Sequence, residues 1–574
     1  MDSRSAAHVL STIASYLELG GENRFKTRAY RTAARSLLAL ATDDLGTMLR
    51  SGELAGVRGL GPATLAVVRD LVESGESRYL EQLREATPEG LLDLMEVPGL
   101  SVEKIHKLHA EAGIESLADL EAAAQDGRLA KVKGMGPKTA QKILTSIAFM
   151  RDAGVRKLYS HAVVEANAIL AAVRSHPSVV RAEIAGSIRR RREVVSDVDI
   201  VAACGRAPRD VAQEFTRIPG VRSASGEGAT VGIRFVDGTR LDLYCVGPDD
   251  FAVALWRATG TPDHVARVAD RLAARGLQNA GDVIRDRHGR RVMCPDESAV
   301  YAAAGLPHIP PELREDRGEV EAADALALPT LVEMSDLRGV LHCHSQYSDG
   351  KATIVEMAAA ARAKGWSYLG ISDHSQAAFY ASGVAREVML EQHDEIDALN
   401  STFSDFRVLK GVEADILADG RLDYDAELLD RFDYVIASIH SRFKMDGDAM
   451  TQRVLRAMDD PHMTVLAHPT GRLLLSRDAY ALDVDAVLQK AAATGVAIEV
   501  NADPHRLDLD WRYLHRAKDL GVTIEIGPDA HSRGGLEWTE LGVAMARKGW
   551  IERDDVLNAR TADEVVAFAR RRFQ

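Results

Sequence analysis

The stretch AGSIRRRREVVSDVDIVAA, residues 185–203, decides how the first half of the chain is read. Four arginines, Arg189 to Arg192, run ahead of Asp197 and Asp199, and the two aspartates alternate with Val198 and Ile200. Alternation of period two marks a strand, on which residues i and i+2 share a face. Two carboxylates side by side repel each other unless a cation lies between them, and hard oxygen ligands favour Mg²⁺ or Mn²⁺. The plainer alternative is a surface arginine run beside a strand with paired edge aspartates.

Working outward, 574 residues are too many for one core and imply about three to five domains. An apolar content of 46% is that of a folded chain. There is no apolar run of membrane-spanning length and no charged-then-apolar leader at Met1, so the protein is expected to be neither membrane-embedded nor secreted. Cys204, Cys245, Cys294 and Cys343 are scattered with no CxxC pair, as in a cytosolic protein with reduced thiols.

The net charge of −14 argues, taken alone, against a nucleic-acid partner. Its distribution weakens that objection. Residues 1–330 carry 43 Lys/Arg against 45 Asp/Glu, and residues 331–574 carry 28 against 40. The acidity lies mostly in the C-terminal part, where a carboxylate-rich metal site and solvated surface would both contribute.

Residues 1–150 read as helices punctuated by Gly-containing turns. Residues 155–315 mix helices with alternating strands, and from about residue 338 apolar strands alternate with amphipathic helices, which predicts a parallel α/β arrangement. The Pro-flanked, charged segment 309–329 reads as a linker. Within the helical part, VRGLGPATL (57–65), VPGLSVEKI (97–105) and VKGMGPKTA (132–140) form a degenerate repeat that resembles the helix-hairpin-helix motif. Its glycines allow a tight turn, and backbone N–H groups at the next helix start can take a DNA phosphate without reading sequence. Gly59, Gly61, Gly99, Gly134, Gly136 and Lys138 are the candidate DNA contacts. A single copy would be just a Gly-capped turn, and the middle copy, with Ser101 in place of the second glycine, fits a structural role.

With these repeats in view, GSIRRRREVVSDVD resembles the palm motif of family X DNA polymerases: Gly-Ser, an arginine pair, then Asp-x-Asp. By that resemblance Asp197 and Asp199 would hold two Mg²⁺ or Mn²⁺ ions. Asp242, in TRLDLYC, would be the third carboxylate and assist deprotonation of the primer 3′-OH. Ser187 and Arg190 would bind the triphosphate, with Gly260 as the nucleotide-side turn glycine. Two metals about 3.5–4 Å apart stabilise the attacking and leaving oxygens of an in-line phosphoryl transfer, and arginines answer the triphosphate's charge.

Two departures stand out. Where the family carries Tyr-Phe-Thr-Gly-Ser and, five residues after the glycine, Asn, this chain has Arg257-Ala258-Thr259-Gly260-Thr261 and Val265. The family's Schiff-base lysine falls at Val67, although Lys26 lies near the expected pocket.

In the C-terminal part, apolar strands end one after another in a metal-type ligand. VLHCHSQYSDG (340–350) supplies His342, His344 and Asp349. His374, Glu413, His440 and His468 each close a later strand, and Asp529 and His531 close the last. Ligands at the C-terminal ends of parallel strands are what a barrel active site requires. These motifs resemble the polymerase and histidinol phosphatase (PHP) domain, which implies a distorted (β/α)7 barrel with a trinuclear site.

By motif, His342, His344, Glu413 and Asp529 would hold one metal. Glu413 would bridge to a second metal held with His440 and His468. Asp349, His374 and His531 would hold the third. Imidazole and carboxylate together suit up to three Mn²⁺, Zn²⁺ or Fe²⁺ ions. Arg442, Arg472 and Arg506 sit in loops at the same strand ends, as phosphate contacts or as solvated loop residues.

The expected architecture is therefore multidomain. An α-helical helix-hairpin-helix region is divided into a lyase-like domain (1–82) and fingers (83–150). An α+β nucleotidyltransferase palm (151–254) and thumb (255–315) follow, then a linker (316–337) and the PHP domain (338–574). The expected function is filling of short DNA gaps from dNTPs in base-excision or end-joining repair, by a cytoplasmic, nucleoid-associated monomer acting on gapped or nicked duplex and 3′ ends. The PHP domain would add a metal-dependent 3′–5′ exonuclease, and an AP-endonuclease activity is compatible with it. Two rivals are a PHP nuclease whose polymerase half is only a DNA-binding scaffold, and a small-molecule phosphoesterase. The intact aspartates argue against the first and the helix-hairpin-helix copies against the second.

Overall fold

The computed structural model describes residues 3–573 apart from 21, 41–44, 75–76, 87–89, 96, 98–99, 133–134, 137–138, 145–155, 227 and 237. The chain forms two compact units, Met1–Gly154 and Val155–Gln574.

The first unit is helical, with two cores. Helices Ser3–Leu19, Arg24–Leu40 and Pro62–Ser74 close around Leu10, Ile13, Leu17, Leu37 and Val68. Helices Gly90–Met95, Val102–Ala112 and Leu117–Gln125 close around Leu94, Ile105, Leu108 and Leu120. The apolar residues recur at helical spacing, so each helix buries one stripe.

The second unit opens with the strands β1 (Lys157–Leu158), β2 (Val179–Ile184), β3 (Val194–Val195), β4 (Val198–Cys204), β5 (Val221–Ser225), β6 (Thr230–Phe235) and β7 (Arg240–Val246). Five of them make a sheet in the order β2-β4-β7-β6-β5, and only β4 and β7 run parallel. Both faces are covered. Ile200, Ala202 and Cys204 of β4 join Leu241, Leu243 and Cys245 of β7 beneath helices Tyr159–Arg174 and Pro208–Phe215. Val201, Ala203 and Val246 pack under helix Phe251–Thr259. The parity of the strand therefore places Asp197, Asp199 and Asp242 on the same face as that helix. The region expected to be the thumb follows, with helices Pro262–Ala274 and Glu297–Ala304 and the small sheet β8 (Leu277–Ala280), β9 (Val283–Asp286) and β10 (Arg291–Val292).

The C-terminal region builds on β11 (Gly339–Val340), β12 (Tyr368–Ile371), β13 (Arg407–Lys410), β14 (Glu413–Asp415), β15 (Val435–Ser438), β16 (Met463–Leu466), β17 (Ala497–Asn501) and β18 (Ile524–Gly527). All pairings among them are parallel. In place of one continuous barrel sheet there are two, β11-β12-β13 and β14-β15-β16-β17-β18. Isolated parallel bridges join them at His374–Glu413 and Cys343–Ala530. Leu341, just after β11, with Tyr368, Leu409, Ile436, Val465 and Ala497 of β12, β13, β15, β16 and β17, forms one core that the C-terminal helix Ala562–Arg570 closes with Val565 and Phe568.

The expected linker at 316–337 is instead a packed connector. Glu319 is fully buried against His264, Oε1 to Nδ1 at 2.6 Å, and accepts the backbone N–H groups of Asp316 and Arg317. Val320 and Ala323 enter the thumb core beside Trp550, and Val332 N–H bonds to Ile551 O at 3.0 Å. The charges that suggested solvent exposure are paired inside the fold. Just upstream, Glu315 holds Arg190 (3.0 Å), Arg192 (3.2 Å) and Lys548 (2.5 Å), and Glu193 accepts from Trp511 Nε1 (3.0 Å) and Arg512 (2.8 Å). Palm and C-terminal region are thus joined by buried ion pairs rather than by a free tether.

Candidate active sites

The palm acids sit where strand pairing puts them. Asp199 of β4 and Asp242 of β7 are direct neighbours in the parallel ladder, and Asp197 immediately precedes β4. Tyr244 Oη donates to Asp199 Oδ1 at 3.3 Å. Gly186 has φ +57°, and a Cβ there would overlap the Asp199 carboxylate, so only glycine allows this approach. Burial, then Asp197 and Asp242, push the Asp199 carboxyl up to about 7. Burial and Asp197 raise Asp242 as well. Divalent cations would relieve this crowding of negative charge.

Ser187 Oγ is buried without a hydrogen-bond partner, ready for a ligand. The arginine run, by contrast, is largely occupied. Arg189 pairs with Glu297 at 2.5 Å and donates to Thr259 Oγ1, Arg190 pairs with Glu315 and donates to Thr259 O at 2.6 Å, and Arg192 pairs with Glu315. Gly260 follows helix Phe251–Thr259, and a Cβ there would press on His264. Arg257 is tied to Asp282 at 2.8 Å, and Val265 packs against the thumb core.

The histidine centre is denser. His342, His344, His374, Glu413, His468 and Asp529 are buried, and Glu413 lies at the middle. Its Oε1 is 3.3 Å from His440 Nε2 and 2.9 Å from His468 Nε2. Its Oε2 is 2.8 Å from His374 Nδ1, 3.5 Å from His342 Nε2 and 3.7 Å from His344 Nε2. Asp529 Oδ1 lies 3.3 Å from His344 Nε2 and 3.6 Å from His342 Nε2. Asp349 Oδ1 lies 3.2 Å from His531 Nε2 and 3.7 Å from His374 Nε2.

Four overlapping groups have ligand atoms within 4.8 Å of one another: His344–Asp349–His374–His531, His342–Glu413–His468, His342–His344–Asp529 and His374–Glu413–His440. Among the described residues, no such group forms elsewhere, the palm acids included. The first and third of these groups fall within ligand sets expected by motif, the first with His344 added. Around Glu413, however, His374 approaches as closely as His440 and His468.

The residues fit metal ions. His342 Nε2, both His344 ring nitrogens and His468 Nδ1 are buried without a hydrogen-bond partner, and the 2.8 Å approach of His374 Nδ1 to Glu413 Oε2 is not aligned as a hydrogen bond, so these atoms await a ligand. Burial lowers His344 and His468 to about 3, which keeps both imidazoles neutral and able to ligate. Burial opposes ionisation of Glu413 and Asp529, but the surrounding histidines outweigh it and hold both carboxyls well below their usual range. His468 and Asp529 have φ +27° and +50°, left-handed backbone that is strained for a non-glycine residue.

Sequence reading missed the outer layer. Glu499 Oε1 lies 2.5 Å from His342 Nδ1, and Asp415 Oδ1 lies 2.8 Å from His440 Nδ1. A carboxylate there keeps the proton on Nδ1 and turns Nε2 toward the centre. Asn501 Nδ2 bridges Glu499 and Asp529 at 3.1 Å to each. A lone acid inside the apolar run of AIEVN was the available signal for Glu499. Of the loop arginines, Arg472 is tied to Asp510 at 2.5 Å and to the Arg506 carbonyl, whereas Arg506 reaches Asp529 at 3.6 Å.

In the helical unit, Gly59 has φ +99° and packs against Ser36, as a tight turn requires. The Gly61 N–H bonds to Thr64 Oγ1 at 3.0 Å, and Gly136 O accepts from the N–H groups of Thr139 and Ala140. Gly99, Gly134 and Lys138 lie outside the described residues. Val67 is buried in the core, and the Lys26 ammonium lies over the Tyr79 ring at 5.5 Å.

Comparison with known proteins agrees with this layout. Family models match a helix-hairpin-helix domain at residues 1–77, a SAM-like helix-hairpin-helix tandem at 91–148, a DNA polymerase beta thumb at 254–315 and a PHP domain at 341–503. The DNA polymerase/3′-5′ exonuclease PolX of Bacillus subtilis (strain 168) is 38% identical over 576 residues, covering 100% of both chains. A probable phosphatase of Thermoanaerobacter sp. (strain X514) is 28% identical over 229 residues, 38% of this chain and 88% of its own. Among the described residues no helix is long and apolar enough to cross a membrane. With one relative aligned end to end and the helix-hairpin-helix, thumb and PHP models matched in that order, the chain belongs to the family X DNA polymerases that carry a fused C-terminal PHP domain.

Proposed function

We propose that the protein fills short gaps in DNA from dNTPs at the palm and shortens 3′ ends at the histidine centre, as a repair polymerase with a built-in 3′–5′ exonuclease. The observation that carries the nuclease half is the set of inward ring nitrogens left without partners around Glu413. The polymerase half rests on the Asp197–Asp199–Asp242 face beside the free Ser187 hydroxyl.

In this reading His342, His344, Asp349, His374, Glu413, His440, His468, Asp529 and His531 hold up to three Mn²⁺, Zn²⁺ or Fe²⁺ ions. Such ions polarise a phosphodiester and acidify water near neutral pH. The protein's own part is orientation: Glu499 and Asp415 fix the His342 and His440 tautomers, and buried walls exclude bulk water. Arg506, beside Asp529, offers a guanidinium to the substrate phosphate. At the palm, Asp197 and Asp199 hold Mg²⁺ or Mn²⁺, Asp242 takes the primer 3′-OH proton, and Ser187 and Arg190 bind the triphosphate, Arg190 after exchanging Glu315 for it. The helix-hairpin-helix turns would hold duplex phosphates.

A second reading, a nuclease with a merely DNA-holding polymerase half, is favoured by Arg190 and Arg257 being tied to Glu315 and Asp282. A labelled one-nucleotide-gapped duplex with Mg²⁺ or Mn²⁺, with and without dNTPs, separates the two. Extension with dNTPs and shortening without them is the expected result. Shortening alone selects the second reading, and neither reaction removes both.

A further inference from the structure

At the mouth of the histidine centre two aromatic rings stand in solvent. Phe379 is 87% exposed and Tyr380 67%. The Tyr380 ring lies 5.5 Å from the His440 ring and 6.0 Å from the His374 ring, edge-on to both. The loop that carries the pair is pinned. Ala377 N–H bonds to Asp423 Oδ2 at 2.7 Å, Gly383 N–H bonds to Ala378 O at 3.0 Å, and Ser375 and Val384 bridge across its base. Ser375 Oγ in turn accepts from Asp415 N–H at 3.0 Å, so the loop is anchored to the strand that carries Glu413.

Adjacent exposed aromatics on a braced loop mark a recognition surface. Flat π-faces beside a phosphodiester-cleaving centre suit one ligand chemistry, a nucleobase attached to the phosphate being cut. A base inside a duplex has both faces covered by its neighbours, so it is a terminal base that can lie on them.

We propose that Phe379 and Tyr380 receive the 3′-terminal base of the strand being cut and stack on it. This rests on the nuclease reading above. The pair positions the substrate and takes no part in the chemistry.

The test uses the full chain and a single strand with 2-aminopurine at its 3′ end, in EDTA so that no cleavage occurs. Stacking quenches the probe in the wild type, and Phe379→Ala/Tyr380→Ala abolishes the quench. Phe379→Tyr and Tyr380→Phe preserve it. Unquenched wild type, or equal quenching in the alanine variant, overturns the proposal whether or not the centre is a nuclease.

With metal present, the alanine variant should raise KM for single-stranded DNA about 5- to 150-fold at similar kcat. A strand ending in a tetrahydrofuran abasic residue should lose the difference between wild type and variant. Equal losses on both strands would assign the loop a structural role instead. If shortening persists in Glu413→Gln, the nuclease reading fails separately, and the quenching experiment still decides the aromatic pair.

Discussion

In the C-terminal region, nine ligand-type side chains from successive strand ends converge on a buried point and are braced by Glu499, Asp415 and Asn501. In the palm, three carboxylates face one another across two strands, and the cations nearest in sequence are held by other acids. Histidines packed among carboxylates are balanced by them: burial opposes charge on His342 and His440, but the acids around them raise both, so such a site can wait finished for metal. Three carboxylates cannot, and Asp199 accordingly holds its proton up to about 7 until cations arrive. The first site is complete in the protein; the second is completed by its substrate. The difference fits a hydrolytic centre whose metals stay bound, and a transferase whose metals come with each nucleotide.

The comparison is broken most easily at the brace. Glu499→Gln should lower metal affinity or 3′ shortening about 10- to 100-fold and leave nucleotide incorporation unchanged. Unchanged shortening would mean that His342 needs no outer partner.

A somewhat smaller effect is expected at the junction. Glu297 and Glu315, each held at about 2 by neighbouring cations despite burial, start from an ordinary 4.5. Depressed carboxyls stabilise the fold fully above pH 4.5, and that stability is lost as the pH falls toward 2. Each contributes up to about 3 kcal/mol. Urea midpoints measured between pH 6 and 3 should fall steeply in the wild type and less so in Glu315→Gln, which is already destabilised at pH 6. Parallel curves would detach Glu315 from the acid response.

These particulars show what was legible in the sequence. The metal ligands could be read because each ends an apolar strand, so position and residue type coincide in the linear text. Asp197, Asp199 and Asp242 were legible through strand parity. The connector was not, because a Pro-flanked charged segment has the same composition whether its charges meet water or, like Glu319 and His264, meet each other in the core. The fate of Arg190 was hidden for a similar reason: its partner Glu315 lies 125 residues away. Phe379 and Tyr380 gave no signal, since exposure is a property of the fold alone.

The family resemblance puts Val265 where an Asn amide would meet the incoming base, and the missing hydrogen bond would cost about 0.5–1.5 kcal/mol, or about two- to tenfold in nucleotide affinity. Single-turnover incorporation of dNTP and rNTP opposite one template base should show weak binding and a small preference between them. Tight binding with strong selection of dNTP would place the sugar gate on other residues. Smaller still is the expected lyase activity. Val67 is buried and apolar, and a bond to Tyr79 raises the Lys26 ammonium rather than freeing its amine. Borohydride trapping on an incised abasic duplex should give little adduct, unchanged in Lys26→Ala. Strong trapping that Lys26→Ala removes would reverse this.

The central claim, a histidine centre complete without the palm, is tested most directly by counting metal. Wild type, Asp199→Ala and Glu413→Gln, loaded with Mn²⁺ or Zn²⁺ and dialysed without chelator, are compared by inductively coupled plasma mass spectrometry. The prediction is that Asp199→Ala keeps the wild-type complement while Glu413→Gln loses at least one ion per chain. Equal metal in all three, or a loss confined to Asp199→Ala, would contradict it.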